Sequence, residues 1–556
     1  MHGLKCRVAC QMKCAVALAR RAEQHSRSAM RHPRSCDACG PFISVLIGVL
    51  HLPHPVLTPN YPALTSETFT QLLASEFPHG FTPDQAVAAA RLTHFVADAE
   101  GADAFLLRGY AGTGKTTLVG AIVRCLVQLH RPVVLLAPTG RAAKVLSNRA
   151  GQPAYTIHRI IYRQQTFRGE DTRFDMGYNR LRHAVFIVDE ASMIARGLAY
   201  TGSPFGSGQL LDDLVRYVHE GEGCRLLLVG DTAQLPPVGE EESPALQASA
   251  MRAYGLRVDE ADLRQVVRQS AESGVLSGAT RLREYIVNGG ATDLPRIAVS
   301  KRGEVRVLPG NELIEALVSA YAEYGADETI VVTRSNRRAY IYNNGIRARV
   351  FDREEEITRG DRVMVVKNNY FWMEQLQAQR QEGDPPLPLQ FIANGDTAEV
   401  VRLRNVHEMH GFRFADATLR FGDYDDFELE CRVLLDTLAS EASALTQEES
   451  HRLYESVLAD YMDVPSQRER MRKVRQDSYY NALQLKFAYA VTCHKAQGGQ
   501  WSRVFIDQGY LPEDLSMQSY LRWLYTAFTR TTDRLYLVNW PKEQYLEVED
   551  VPVEEE

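Results

Sequence analysis

The chain lacks any apolar run long enough to cross a bilayer. The stretch from Phe42 to Leu52 stops far short of the roughly 20 residues a membrane helix needs, and no ordered signal-peptide pattern with a small-residue cleavage site accompanies it. No membrane partner is therefore expected. Excess positive charge is also missing: 63 Lys and Arg stand against 70 Asp and Glu, a formal net charge of −7, so the overall balance gives no case for nucleic acid. Cysteine is sparse outside the first sixty residues, which hold five of the nine. Cys36-Asp-Ala-Cys39 has zinc-ligand spacing but lacks a second pair at a convincing distance. The four remaining cysteines are scattered, which excludes a disulfide framework and fits a reducing, cytoplasmic location. No long low-complexity tract and no nuclease-like carboxylate cluster with a catalytic lysine stands out.

What is present is unevenly distributed. An apolar content of 45% and 556 residues suit a soluble chain of several domains. Residues 1–60 are rich in Arg and His and poor in acid, and are expected to be an atypical, poorly ordered extension, with an organelle-targeting peptide as the alternative. Residues 546–556 form an acidic tail. Between Arg131 and Arg182, ten Lys and Arg meet only three Asp and Glu, a local surplus of 10 − 3 = +7.

The most specific signal is Gly109-Tyr-Ala-Gly112-Thr113-Gly114-Lys115-Thr116, the spacing of a P-loop. Glycines let the backbone turn its N–H groups around phosphate oxygens, and the following helix adds its positive end. Lys115 is expected to reach the β- and γ-phosphates of ATP and Thr116 to ligate Mg²⁺, with Gly112, Thr113 and Thr117 completing the nucleotide-binding set. An apolar strand, Ala104 to Arg108, precedes the loop, and helical spacing follows from Thr117 to Leu129. A second strand candidate ends in Asp189-Glu190, where ligands bind in open α/β sheets. Asp189 is assigned to Mg²⁺ and Glu190 to polarising the attacking water; a solvated pair capping the next helix is the bland alternative. A third strand, Arg225 to Val229, runs into Gly230-Asp231-Thr232-Ala233-Gln234, and Gln234 is placed to sense the γ-phosphate.

Short apolar runs separated by helical patterns predict buried parallel strands with helices on both faces. Residues 354–437 instead read as alternating strands with turns such as Asn394-Gly395-Asp396, a small β-barrel insert. Thr446-x-x-Glu449 is a capping box opening a helical stretch.

From about Phe81 to Trp540 the chain resembles the RecD/Dda-type superfamily 1 DNA helicases, through an ordered set of motifs. Phe81-Thr82-Pro83-Asp84-Gln85 resembles the adenine-reading glutamine motif, and is equally a capping box with Pro at N1. Leu135 to Leu146 resembles the motif whose loop grips single-stranded DNA, carrying Pro138, Thr139 and Arg141; Thr156-Ile-His158-Arg159 resembles the next strand-contacting loop. Leu263 to Gln269 resembles the motif that sends an arginine, here Arg268, to the γ-phosphate. Val332-Thr333-Arg334-Ser335-Asn336, with Asn343 and Arg347, resembles the first DNA-facing strand and helix of the second motor domain. Tyr489 to Gln500 resembles motif V, in which Thr492 and His494 meet DNA while Gln497 and Gly498 couple that contact to nucleotide. Gln500 stands where relatives often carry an acid, which leaves its role open. Tyr525 to Arg530 resembles motif VI, with Arg530 as a second arginine finger.

The resemblance implies an α/β fold with two RecA-like parallel-sheet motor domains, a β-hairpin insert in the first and an SH3-like β-barrel insert in the second. The expected layout is 61–270 for the first motor domain (hairpin about 155–183), 271–353 and 481–545 for the second, and 354–480 for the barrel and helical segment. Phe167 or Phe174 at the hairpin tip is either a wedge that stacks on the first base pair or part of a packed hairpin. Lys367, Asn368 and Tyr370 would line the barrel's DNA face. The implied activity is an ATP- and Mg²⁺-dependent helicase acting as a monomer on single-stranded and forked DNA, moving 5′ to 3′. The alternatives are a DNA-stimulated translocase that displaces proteins with little unwinding, and a nucleotide-dependent DNA clamp. The 48 residues between the extension and the P-loop are too few for the docking domain of a nuclease-complex subunit, which favours a stand-alone enzyme.

Overall fold

The computed structural model describes residues 65–548 except 78, 99, 165–173, 198–205, 268–272, 289–293, 382, 386 and 390. The expected extension 1–60, Phe167 and Arg268 lie outside the described residues, as does the side chain of Phe174.

The first half is a six-stranded sheet. In chain order its strands are β1 (Ala104–Gly109), β2 (Val133–Ala137), β3 (Ala154–Thr156), β6 (Val185–Val188), β7 (Arg225–Gly230) and β8 (Val258–Leu263). Their spatial order is β3-β2-β6-β7-β1-β8, and every pairing is parallel. Central strands with both faces covered must be apolar throughout; accordingly all four residues of β6 are buried, as are five of the six of β7. Between β3 and β6, β4 (Tyr162–Gln164) and β5 (Phe174–Met176) pair antiparallel.

The second half begins with β9 (Ile297–Val299), β10 (Val305–Leu308) and β11 (Thr329–Thr333). After an interruption it resumes with β17 (Ala490–Thr492), β18 (Trp501–Asp507), β19 (Thr531–Val538) and β20 (Tyr545–Glu547). Strands β10-β19-β18-β11-β17 form a five-stranded parallel sheet, and β20 pairs with β9. The interruption is a closed five-stranded barrel of β12 (Arg362–Val365), β13 (Thr397–Met409), β14 (Phe412–Phe421), β15 (Phe427–Leu434) and β16 (Leu483–Phe487). Its last strand lies beyond the helical stretch, past the boundary expected at 480. β16 pairs antiparallel with β12 and parallel with β15, and so removes the open edge the other four strands would leave. The Thr446–Glu449 capping box forms as expected.

The barrel is tied to the second half by buried charge. Asp361, fully buried, accepts from Arg347 and Arg353 and from the Tyr489 hydroxyl and Thr358 N–H. A buried ion pair is tolerable only when its remaining lone pairs and protons are satisfied, as they are here.

Candidate functional site: a nucleotide cleft and a strand groove

Five helices matter for the site. They are α1 (Pro83–Ala97), α2 (Lys115–Gln128), α3 (Gly140–Ala150), α4 (Asn336–Arg349) and α5 (Met517–Phe528).

At the carboxyl ends of β1, β6 and β7 lies a cleft of about 460 Å³, lined by the P-loop and by Gln85, Asp189, Glu190, Asp231 and Gln234 from the first half, and by Gly498, Gln500, Thr529 and Arg530 from the second. The loop reaches its shape through left-handed backbone at Gly112 (φ +74°) and Gly114 (φ +80°). A Cβ on Gly114 would stand 2.5 Å from the Gln85 amide nitrogen, so both conformation and space require glycine there. Lys115 donates to the carbonyls of Gly109 (2.5 Å) and Tyr110 (2.8 Å), which holds the ammonium over the loop. Thr113 turns its hydroxyl back to the Tyr110 carbonyl and is fully buried, so it shapes the loop and offers no side chain to a ligand.

Gln85 performs both expected capping and P-loop support. Its Oε1 accepts from Thr82 N–H in the capping box at the start of α1, and its amide donates to the Thr113 carbonyl at 2.9 Å. An amide nitrogen carries two donors, so this bond to Thr113 uses one of them.

The acidic pair stands at the end of β6. Asp189 accepts from Glu190 N–H, and Glu190 adopts left-handed backbone (φ +52°), an uncommon conformation for a residue with a side chain and one that concentrates at functional sites. Burial, and then the neighbouring Glu190 carboxylate, push Asp189 up to about 6. Two adjacent carboxylates at a phosphate loop form a site that a cation would relieve. Gln234 is 6% exposed and its Oε1 has no hydrogen-bond partner within the protein, an acceptor buried without a donor at the rim of the cleft. These features fit a nucleotide and a divalent cation, which Thr116 and Asp189 would hold.

The second half closes the cleft through bonds the sequence did not announce. From α5, the Tyr525 hydroxyl donates to Asp231 at 2.6 Å and accepts from Ala111 N–H of the P-loop at 2.9 Å. Asp231 is buried and raised by that burial, and this hydroxyl and the Ala233 N–H keep its carboxylate satisfied. Thr526 accepts from Leu235 N–H, and Gln497 donates to the Leu235 carbonyl, so one residue after Gln234 is held by two motifs of the other half. Arg530 is 2% exposed and donates to the carbonyls of Thr526 and Gly499 and to the Thr529 hydroxyl. Gly498 keeps a left-handed φ of +75°. Thr117, at the start of α2, also lines the cleft.

A second cavity, of about 430 Å³, collects the expected strand-gripping loops of the first half: Pro138, Thr139, Thr156, His158 and Arg159. Thr139 and Thr156 are helix N-caps whose oxygens accept from Ala142 and Arg159 N–H, leaving each O–H free to donate. The far wall is the barrel, with Phe391, Asp396, Asp423, Tyr424 and Asp425. His158 packs edge-on against Phe391, and burial lowers its imidazole to about 4, so it is neutral near pH 7. Arg159 lies over the Tyr155 ring at 4.7 Å, and Lys144 donates to the Gly422 carbonyl across the gap. Arg141 lies outside this cavity; it stacks on Trp501 of the second half at 4.0 Å.

On the second half, three residues of the expected strand-contacting motif turn inward. Thr333 is fully buried and its hydroxyl bonds the Ser335 and Val491 carbonyls, so it braces the start of α4 and presents nothing to a ligand. Asn343 and Arg347 are also buried: Asn343 pairs with Tyr489 and Ala490, and Arg347 with Asp361. Asn336 and Thr492 do share a groove, and with them stand Lys486 and Lys495, which sequence reasoning left unassigned. Burial lowers both lysines, Lys486 to about 8. His494 is exposed beside them. Of the barrel residues, Asn368 accepts from Asn394 N–H, and Tyr370 packs tilted against Phe391 with ring centroids 5.2 Å apart.

Residues 81–287 match the AAA domain family and 487–538 the UvrD-like helicase C-terminal domain family. The ATP-dependent RecD2 DNA helicase of Deinococcus radiodurans is 35% identical over 178 residues, 31% of this chain and 21% of that protein. The ATP-dependent DNA helicase dda of Enterobacteria phage T4 is 24% identical over 433 residues, covering 72% of this chain and 86% of the phage protein. The RecBCD enzyme subunit RecD of Mycobacterium tuberculosis is 30% identical over 37% of this chain and 35% of its own length. The chain thus spans only about a fifth of the Deinococcus relative and about a third of the mycobacterial one. A crystal structure of Pif1 helicase from Bacteroides in complex with ADP-AlF3 and ssDNA aligns with a TM-score of 0.39 at 15% identity, covering 82% of this chain and 93% of that one. By the two family matches and these sequence relatives, the chain is similar to the RecD- and dda-type helicases.

Proposed function

We propose that the protein is an ATP-dependent DNA helicase that translocates 5′ to 3′ on single-stranded DNA and separates duplex at forks. The observation that carries this reading is the cleft itself: a P-loop with its acidic pair, faced from the other half by Arg530, Gln497 and Tyr525. The two sheets act as RecA-like motor domains and the barrel as an SH3-like insert. Bound Mg²⁺, held by Thr116 and Asp189, supplies charge neutralisation at the phosphates. Lys115 binds the phosphates, Glu190 orients and deprotonates the attacking water, and Gln234 offers its unbonded Oε1 to that water. Arg530, with Arg268 from the first half, meets charge that develops on the γ-phosphate.

Opening and closing of the cleft moves the second half against the first. Strand grip on the first half falls to Pro138, Thr139, Thr156, His158 and Arg159. On the second half it falls to Asn336, Thr492 and His494 with Lys486 and Lys495. Alternation between the two sets turns hydrolysis into movement. Relatives of this type underlie the stated polarity, the Mg²⁺ requirement and monomeric action.

Two forked substrates test the reading, one with only a 5′ tail and one with only a 3′ tail, in ATP and Mg²⁺. Unwinding of the 5′-tailed fork alone, lost in Lys115→Ala, is the expected result. Strong DNA-stimulated hydrolysis with no strand separation on either fork would instead favour a protein-displacing translocase.

A further inference from the structure

Helix α3 begins at the strand-gripping loop and ends at the nucleotide cleft. Thr139, its N-cap, lines the strand cavity, while Arg149 near its other end lines the nucleotide cleft. The helix carries Arg141 and Arg149 about two turns, roughly 12 Å, apart. Both guanidiniums close on one residue of the second half. Arg141 donates to the Gln500 carbonyl at 3.2 Å, and Arg149 donates to the Gln500 side-chain oxygen at 2.5 Å. Arg149 also reaches the Thr116 hydroxyl at 3.4 Å.

The loop that presents Gln500 is shaped for this approach. A Cβ on Gly498 would meet Ala142 at 3.0 Å, and one on Gly499 would stand 2.4 Å from the Trp501 ring and 2.9 Å from Arg141. Glycine at both positions lets the loop lie directly on the first turn of α3. From its other side the same loop is held by Arg530, which donates to the Gly499 carbonyl at 3.2 Å. Trp501 supplies a flat surface for Arg141 at 4.0 Å.

We propose that Arg141, Gln500 and Arg149 form a clamp that couples strand binding to the nucleotide cleft, with Gln500 and Arg149 as positioning residues. The clamp joins the strand-side end of α3, the cleft-side end of α3 and the loop beneath Arg530 through one amide-bearing residue. Movement of α3 when its N-terminal loop grips a strand is thereby passed to the segment that holds Arg530, and in the reverse direction to Thr116.

The clamp rests on the reading of the protein as a DNA-stimulated ATPase, and the test keeps the two apart. ATP hydrolysis is measured with and without an oligothymidine strand, and the ratio of the two rates is the readout. Gln500→Ala and Arg149→Met are each expected to lower that ratio by roughly fivefold. The double variant is expected to lose no more than the larger single loss, because the two act through one bond. Gln500→Glu, which still offers Arg149 an acceptor, is expected to keep the ratio within about twofold. A merely structural role would not be rescued by that carboxylate. A wild-type ratio in Gln500→Ala, or fully additive losses in the double variant, would overturn the clamp. Absence of stimulation in the wild-type protein would overturn the functional reading, and with it the clamp, before any substitution is made.

Discussion

The nucleotide cleft and the strand cavity are nearly equal in size, about 460 and 430 Å³, and are built in opposite ways. In the cleft, Lys115, Gln85, Arg530, Gln497 and Tyr525 are each already bonded to backbone or carboxylate, and the second half seals the far side. In the strand cavity, the first half faces the barrel, whose Asp396, Asp423 and Asp425 stand opposite Lys144 and Arg159. The cleft is preorganised for phosphate, whereas the strand cavity presents its cations to acids of the same chain. Phosphoryl transfer needs fixed dipoles. A moving strand needs contacts that exchange, and carboxylates near a phosphate backbone weaken its hold.

The largest expected break in that comparison is Lys115→Ala. ATP turnover should fall to background in a phosphate-release assay, while weak, salt-sensitive DNA binding persists, because the strand cavity does not use this lysine. Arg530→Ala should follow, lowering kcat by about 10³-fold or more, with ATP still bound. Tyr525→Phe removes one hydroxyl from buried Asp231 and from Ala111 N–H, and should lower kcat by roughly tenfold, the consequence of about 1–3 kcal/mol for an unmet buried polar group. Strand affinity by fluorescence anisotropy should be unchanged in that variant.

The strand side is probed by Asp423→Asn with Asp425→Asn. Removing two carboxylates should tighten oligothymidine binding a few-fold at low salt, with KM for ATP unaltered, the reverse pattern to Tyr525→Phe. The smallest effect concerns stability. Burial raises Asp396 to about 7, even though it accepts from Ala393 N–H and the Tyr424 hydroxyl. Its folded value therefore exceeds the unfolded one near 3.8, the native state holds the proton more tightly, and stability falls as pH rises from about 4 to 7. Asp396→Asn should flatten the decline of Tm over that window in thermal melts.

The legible parts share a cause. P-loop glycines, the Thr82–Gln85 and Thr446–Glu449 boxes, and the buried strands are dictated by backbone geometry and burial within a few residues, and each forms where expected. Asp189 and Glu190 follow from standing at a strand's end. Legibility failed where orientation mattered. Thr333, Asn343 and Arg347 occupy strand-contacting motif positions yet turn into the core, because a polar side chain there finds buried partners. Lys486 and Lys495 carried no pattern, since two lysines in separate elements become neighbours only after the barrel closes. The aromatic of motif VI, Tyr525, could have been suspected from its hydroxyl alone, but its partner Asp231 could not.

The sequence by itself determined that this chain carries a P-loop on a parallel α/β sheet, and it announced a second half and a barrel, because those properties reside in local spacing and burial period. Only the tertiary structure decided that β16 closes the barrel from beyond the helical segment. It alone set Tyr525 between the P-loop and Asp231, and brought Arg141 and Arg149 together on Gln500. Those contacts join residues hundreds of positions apart, and a hydrogen bond of that kind leaves no period in a sequence; it exists only when two separately folded surfaces meet.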